Sequence, residues 1–137
     1  MITMTTYNVM MYMKSKFPEI SQFMKNGVVD NKSQKSIGII LGSDNRSTGN
    51  LAIGGIECTV VRMLPTNITI RWTDNQKECD DLSTSIYNAL LTELPNIEFG
   101  DVKIAYIQLL DGCHKSIGRD EKNICETVIR ANFYYYV

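Results

Sequence analysis

The residues of this chain that could do chemistry are few and far apart. Cys58, Cys79, Cys113 and Cys125 contain no C-x-x-C pair, so their spacing signals neither a zinc site nor a small disulfide scaffold, and they read as reduced thiols. His114, the sole histidine, sits beside Cys113 and near Asp111 in the segment Asp111-Gly112-Cys113-His114-Lys115. That cluster could seed a metal site, but such sites need three or four ligands, and a lone histidine in a loop is ordinarily a solvated side chain. The stretch LGSDNRSTGN, with Asp44 and Arg46, invites a phosphate-cradle reading. It lacks the Gly-Lys-Ser/Thr ending of a P-loop and the spacing of a dinucleotide fingerprint, so it reads instead as a mobile connection between strands. No serine or cysteine stands near a sequence-plausible base, and the carboxylates are scattered through loops and helix surfaces. The chain is therefore expected to hold no catalytic, cofactor-binding or metal-binding residues.

Composition narrows the classes further. Lys plus Arg number 14 and Asp plus Glu 15 in 137 residues, with no run of like charge and no basic stripe, which argues against sequence-specific binding of nucleic acid. No apolar run approaches the roughly 18 residues of a membrane-spanning helix, and the first residues lack the basic start and apolar core of a secretory signal. The length corresponds to a single domain over 1–137.

Any functional side chain must be positioned by elements that the hydrophobic pattern outlines. Val9, Met10, Met13 and Phe17 recur at helical spacing after Thr5 or Thr6 as a cap, and Pro18 ends the run. Met4, Met10, Met11 and Met13 read as core-facing rather than as an adaptable binding surface. Ile37 to Leu41 reads as a strand, and Ile56 to Met63 as a second, ended by Leu64-Pro65. In Ile68-Thr69-Ile70-Arg71-Trp72, alternation puts Ile68, Ile70 and Trp72 on a buried face and Thr69 and Arg71 on the other. Thr73 with Gln76, or Asn75 with Glu78, supplies a capping pattern for a second helix with Cys79, Leu82, Ile86, Ala89 and Leu90 on its apolar side. Val102 to Leu110 forms another strand. From Cys125 onward the odd positions through Tyr135 face the core, so Tyr134 and Tyr136 must lie on the opposite face, to be covered by the N-terminal segment or by another subunit. The expected fold is α+β: two helices over a mixed or antiparallel sheet of about four to six strands.

Two stretches, ITIRWTDNQKECDDLSTSIYNALL and VKIAYIQLLDGCHKSIGRDEKNICETVIRANFYYYV, together resemble the tail terminator, or minor capsid and tail completion, family of long-tailed bacteriophages and their prophages. The marks are Trp72-Thr73-Asp74-Asn75 before a helix, an Ile-Gln-Leu-Leu strand, the turn Gly118-Arg119-Asp120-Glu121, and a last strand ending in aromatics. The resemblance covers roughly residues 66 to 137. It implies a structural, non-enzymatic subunit that forms a ring, usually a hexamer, on the head-proximal end of the tail tube. There it would stop tube growth and present the surface on which the head connector docks, in a virion assembled in the bacterial cytoplasm. Its implied partners are itself, the tail tube protein and the head connector or stopper protein. A head-to-tail stopper or adaptor is the alternative within the same class. A small ligand-binding domain or enzyme using Asp44, Arg46 and His114 is the alternative from another class. Arg119, Asp120 and Glu121 read as a solvated turn between two strands, or else, together with Asp44 and Arg46, as candidates for an interface, because a guanidinium can hold a carboxylate bidentately.

Overall fold

The computed structural model describes residues 3–29, 32, 34–42, 54–55 and 60–137. Helix α1 spans Thr6–Lys16. It starts where the Thr5 amide donates to Asn8 Oδ1 at 2.8 Å, and it stops before Pro18, the first residue of a short 3-10 turn, Pro18–Phe23. Val9, Met10, Tyr12 and Met13 make its buried face. Met4 is buried as well, whereas Met11 is exposed, so three of the four clustered methionines pack inward. Helix α2 spans Gln76–Leu91. Asn75 is its cap: Oδ1 accepts from the amides of Lys77 at 3.0 Å and Glu78 at 3.3 Å. Thr73 contributes differently, its hydroxyl donating to Glu78 Oε2 at 2.8 Å and accepting from the Asn75 amide.

The seven described strands are β1 (Met24–Asn26), β2 (Ser36–Leu41), β3 (Val61–Arg71), β4 (Ile97–Phe99), β5 (Val102–Leu109), β6 (Lys115–Arg119) and β7 (Cys125–Tyr136). They form one mixed sheet in the order β1-β2-β3-β7-β5-β4, with β6 also paired to β7. Only β1 and β2 run parallel; the other pairs are antiparallel. The count exceeds the expected four to six because β1, β4 and β6 are too short for hydrophobic alternation to betray them. Strands β5 and β6 lie end to end along one edge of β7, against Ile104↔Tyr135 to Leu109↔Ala131 and Lys115↔Val128 to Arg119↔Cys125. They act as one long strand interrupted by the segment Leu110 to His114.

One expected boundary is corrected. Leu64-Pro65 does not end a strand, because β3 runs through it to Arg71; residues 56–59, where the preceding run was expected to begin, lie outside the described residues. The Pro65 carbonyl accepts from the Gly42 amide at 2.9 Å, just past the last residue of β2. Its nitrogen therefore faces that same side, and the missing N–H removes no bond from the ladder with β7.

Both helices pack on one face of the sheet, with Ile37, Ile39, Ile68, Ile70, Ile104, Ile129 and Phe133 buried beneath Val9, Met13, Cys79, Ile86 and Leu90. Each such side chain contributes about 1.5–3 kcal/mol on leaving water. Trp72 is buried against Phe23, the rings meeting edge to face at 5.2 Å. The odd positions of β7 from Cys125 to Tyr135 are all buried, as the alternation requires. On the opposite face Tyr134 stacks on Tyr106 at 4.3 Å, and Tyr136 donates to Asn96 Oδ1 at 2.7 Å. These two tyrosines are thus half covered by their own neighbours in sequence and sheet. The N-terminal helix lies on the other side, where Tyr12 meets Phe133, so its expected role as their cover is not what the fold provides. Among the described residues no helix is long and apolar enough to cross a membrane.

Candidate functional site

Strand β3 ends on Arg71, whose alternation with Ile70 and Trp72 predicts an outward side chain. It does lie on the sheet face away from the helices, opposite Glu126, but it is completely buried there. The reason is the turn between β6 and β7, which folds across the end of that face. Asp120 Oδ2 accepts from Arg71 Nη1, and Glu126 Oε1 lies 3.6 Å from the same nitrogen. A guanidinium out of water requires such carboxylate partners, since an unpaired buried charge is strongly destabilising.

The same turn carries the Gly118-Arg119-Asp120-Glu121 stretch. Asp120 Oδ1 accepts from the amides of Lys122 at 3.0 Å and Ile124 at 2.9 Å. Its carboxyl is held below the ordinary range, first by the Ile124 amide and then by Arg71. Arg119 reaches the other way: its Nη1 donates to the carbonyls of Asp74 at 2.8 Å and Asn123 at 2.9 Å. The Asp74 carbonyl belongs to the Trp72-Thr73-Asp74-Asn75 stretch that leads into α2. The two most distinctive stretches of the sequence therefore meet at one corner of the molecule, joined by Arg119 and underlain by Arg71 and Asp120. Glu121 and Lys122 remain exposed at the tip, and the four residues Arg119 to Lys122 line an open cavity of about 420 Å³.

A second charged group flanks this corner. In the segment between β5 and β6, Asp111 and Gly112 adopt positive φ of 66° and 71°. Asp111 takes a bidentate contact from Arg130, at 2.7 and 2.8 Å, and one from Lys115 at 3.3 Å. The Arg130 hydrogen bonds, and after them that of Lys115, bring its carboxyl down to about 2. His114 Nε2 lies 3.1 Å from Asp80 Oδ1 on α2, while Cys113 is exposed. The Asp111, Cys113 and His114 set is thus pulled apart, with Asp111 committed to two cations and His114 to the helix. Among the described residues no three potential metal ligands gather.

Of the residues singled out in the sequence, Arg119 ties the turn to the segment that leads into α2, Asp120 turns inward to Arg71, and Glu121 stays exposed at the tip. Asp44 and Arg46, and the loop expectation attached to them, lie outside the described residues. Arg71, Asp80 and the Asp74 carbonyl were not foreseen as parts of the site. Their partners are distant in sequence, and the only hint was one charged residue inside an otherwise β-rich run. What the corner supplies is fixed charge and donors that clamp separate backbone segments together. No family model matches the chain, and no curated protein matches it significantly.

Proposed function

We propose that the chain is a structural subunit of the head-tail junction of a long-tailed phage or prophage, which caps the tail tube as a ring and offers the docking surface for the head. The observation that carries this reading is the contact from Arg119 to the Asp74 carbonyl. The two stretches most like the tail terminator family, 45 residues apart in sequence, meet at one corner, as parts of a single assembly surface would. The distribution of structure supports the same reading. Helices occupy one sheet face, and the other is half-exposed, with a tyrosine-rich end and, over Arg71, a turn whose Glu121-Lys122 tip is exposed. A cyclic ring needs two different patches per subunit, and the tyrosine-bearing sheet face and the charged corner are the two that this reading assigns to it. In this reading the subunit is not an enzyme, and its partners are copies of itself, the tail tube protein and the head connector.

Electron microscopy of tail tubes assembled with and without the protein tests the proposal. Capped tubes of uniform length, with ring density at one end, are the expected result. Tubes that keep lengthening in the presence of the protein would overturn it, whereas density at the portal side of the head alone would point to the stopper or adaptor role.

A further inference from the structure

Two of the cysteines that the sequence leaves as unrelated thiols are neighbours in the fold. Cys79 lies in the first turns of α2 and Cys125 is the first residue of β7; both are buried. Cys79 Sγ donates to the Cys125 carbonyl at 3.4 Å, and Cys125 Sγ donates to Gln76 Oε1, also at 3.4 Å. Cys125 is itself anchored on both sides, its amide donating to the Thr73 carbonyl at 2.9 Å and its carbonyl accepting from the Trp72 amide at 3.2 Å. The Cys79 sulfur thus rests against the backbone of Cys125 at a helix-strand junction held by backbone hydrogen bonds, which brings the two cysteines to the same point of the core.

We propose that Cys79 and Cys125 form a reversible disulfide that staples α2 to β7 when the protein meets a low-molecular-weight disulfide. The Cys125 thiol loses its proton and attacks one sulfur of the small disulfide, releasing one small thiolate and leaving a mixed disulfide on Cys125. The Cys79 thiol then loses its proton and attacks the Cys125 sulfur, closing the intramolecular bond and releasing the second small thiolate. The two cysteines give up two electrons and two protons; the small disulfide receives them and leaves as two thiols. The order follows from the surroundings. The Cys125 sulfur is covered by the side chain of Gln76, an exposed residue at the start of α2, so rotation of that one surface side chain would uncover it. Cys79 is sealed against backbone, and burial, followed by the charge of the Cys125 thiol, pushes its own thiol up to about 11, so it is suited to the second step rather than the first.

The test is incubation of the folded wild-type protein with oxidised glutathione at neutral pH, followed by intact mass and peptide mapping. The expected result is a Cys79–Cys125 linked peptide two hydrogens lighter than its two parts, whatever the exposed Cys113 carries, reversal by a dithiol reductant, and a Tm raised by about 5 °C or more, since the bond closes a long loop of the unfolded chain. In Cys79→Ser, Cys125 should accumulate as a glutathione mixed disulfide, whereas in Cys125→Ser the Cys79 thiol should stay unmodified. A folded protein that keeps both thiols after a day, that carries glutathione on them without closing the bond, or that closes the bond only in denaturant would overturn the proposal. So would a lowered Tm in the linked form.

Discussion

Arg71 shows how far one residue's role depends on what is folded over it. Its guanidinium is buried against Asp120 and Glu126, so Arg71→Ala removes both the packing of the stem and the charge that balances two carboxylates. A loss of about 3 kcal/mol is expected from denaturant unfolding, in the range for breaking a buried pair; an effect below 1 kcal/mol would mean that the pair is hydrated. Asp111 makes a prediction about pH. Its carboxyl titrates near 2 in the folded chain, against an ordinary value near 4 when unfolded. Between those values the unfolded chain binds more protons, so the stability that Asp111 contributes is fully present above about pH 4 and is lost as pH falls toward 2. Asp120, also lowered, acts in the same direction. Unfolding curves in acid should therefore show a shallower loss of stability for Asp111→Asn than for the wild-type protein, and identical slopes would show that the Arg130 contact does not persist in solution.

At the scale of elements, two junctions are held by geometry rather than by hydrophobic area. Strand β2 is crossed by the segment that follows β1: a Cβ on Gly38 would lie 2.4 Å from the Gly27 carbonyl oxygen and 3.0 Å from the Val29 nitrogen. Both obstacles are backbone and cannot rotate away. Gly38→Ala is expected to cost about 1–3 kcal/mol, as overpacking does, with the loss read from the unfolding midpoint. The turn between β6 and β7 is held by Arg119, whose two carbonyl contacts Arg119→Glu would replace with repulsion. The amides of Lys122 and Ile124, which donate to Asp120, should then exchange faster with deuterium while the rest of β7 stays protected. Unchanged exchange would show that Asp120 and Arg71 hold the turn without it. Strand β6 is exposed along its length, short, irregular between Ser116 and Gly118, and flanked by Lys115 and Arg119. Those features guard an edge against indiscriminate strand pairing, which directs any assembly contact toward side chains rather than sheet extension.

For the whole molecule, the intramolecular roles of Arg119 and Asp120 decide how the assembly reading should be probed. Substituting either one disturbs the corner itself, so a lost cap would be ambiguous. Glu121 is exposed at the tip of the same turn, and Glu121→Lys should leave unfolding within about 0.5 kcal/mol of the wild-type protein. If the tip touches a neighbouring subunit or the tube, that variant should cap tubes less well at equal protein concentration, as judged by tube length distributions. Normal capping with a normal fold would place the contact elsewhere, the tyrosine-bearing sheet face being the next surface to alter.

How much of this was legible in the residues alone differs by the range of the interactions involved. The residues alone gave away both helices, the inward odd face of β7, the burial of Ile68, Ile70 and Trp72, and the α+β class, while each helix cap was narrowed to two candidates, of which the fold uses Thr5 and Asn75. Each of these follows from contacts within a few residues and from a periodicity long enough to count. Tertiary structure decided what closes over the second sheet face. Pairing Arg71 with Asp120 spans 49 residues, and burying Ser83 depends on Thr127, their hydroxyls 2.6 Å apart across helix and strand. A polar side chain carries no local sign of whether water or a partner will satisfy it. The short strands β1, β4 and β6 and the passage of β3 through Pro65 were hidden for the same reason: they depend on which strand lies alongside, and three or five residues hold too little pattern to say.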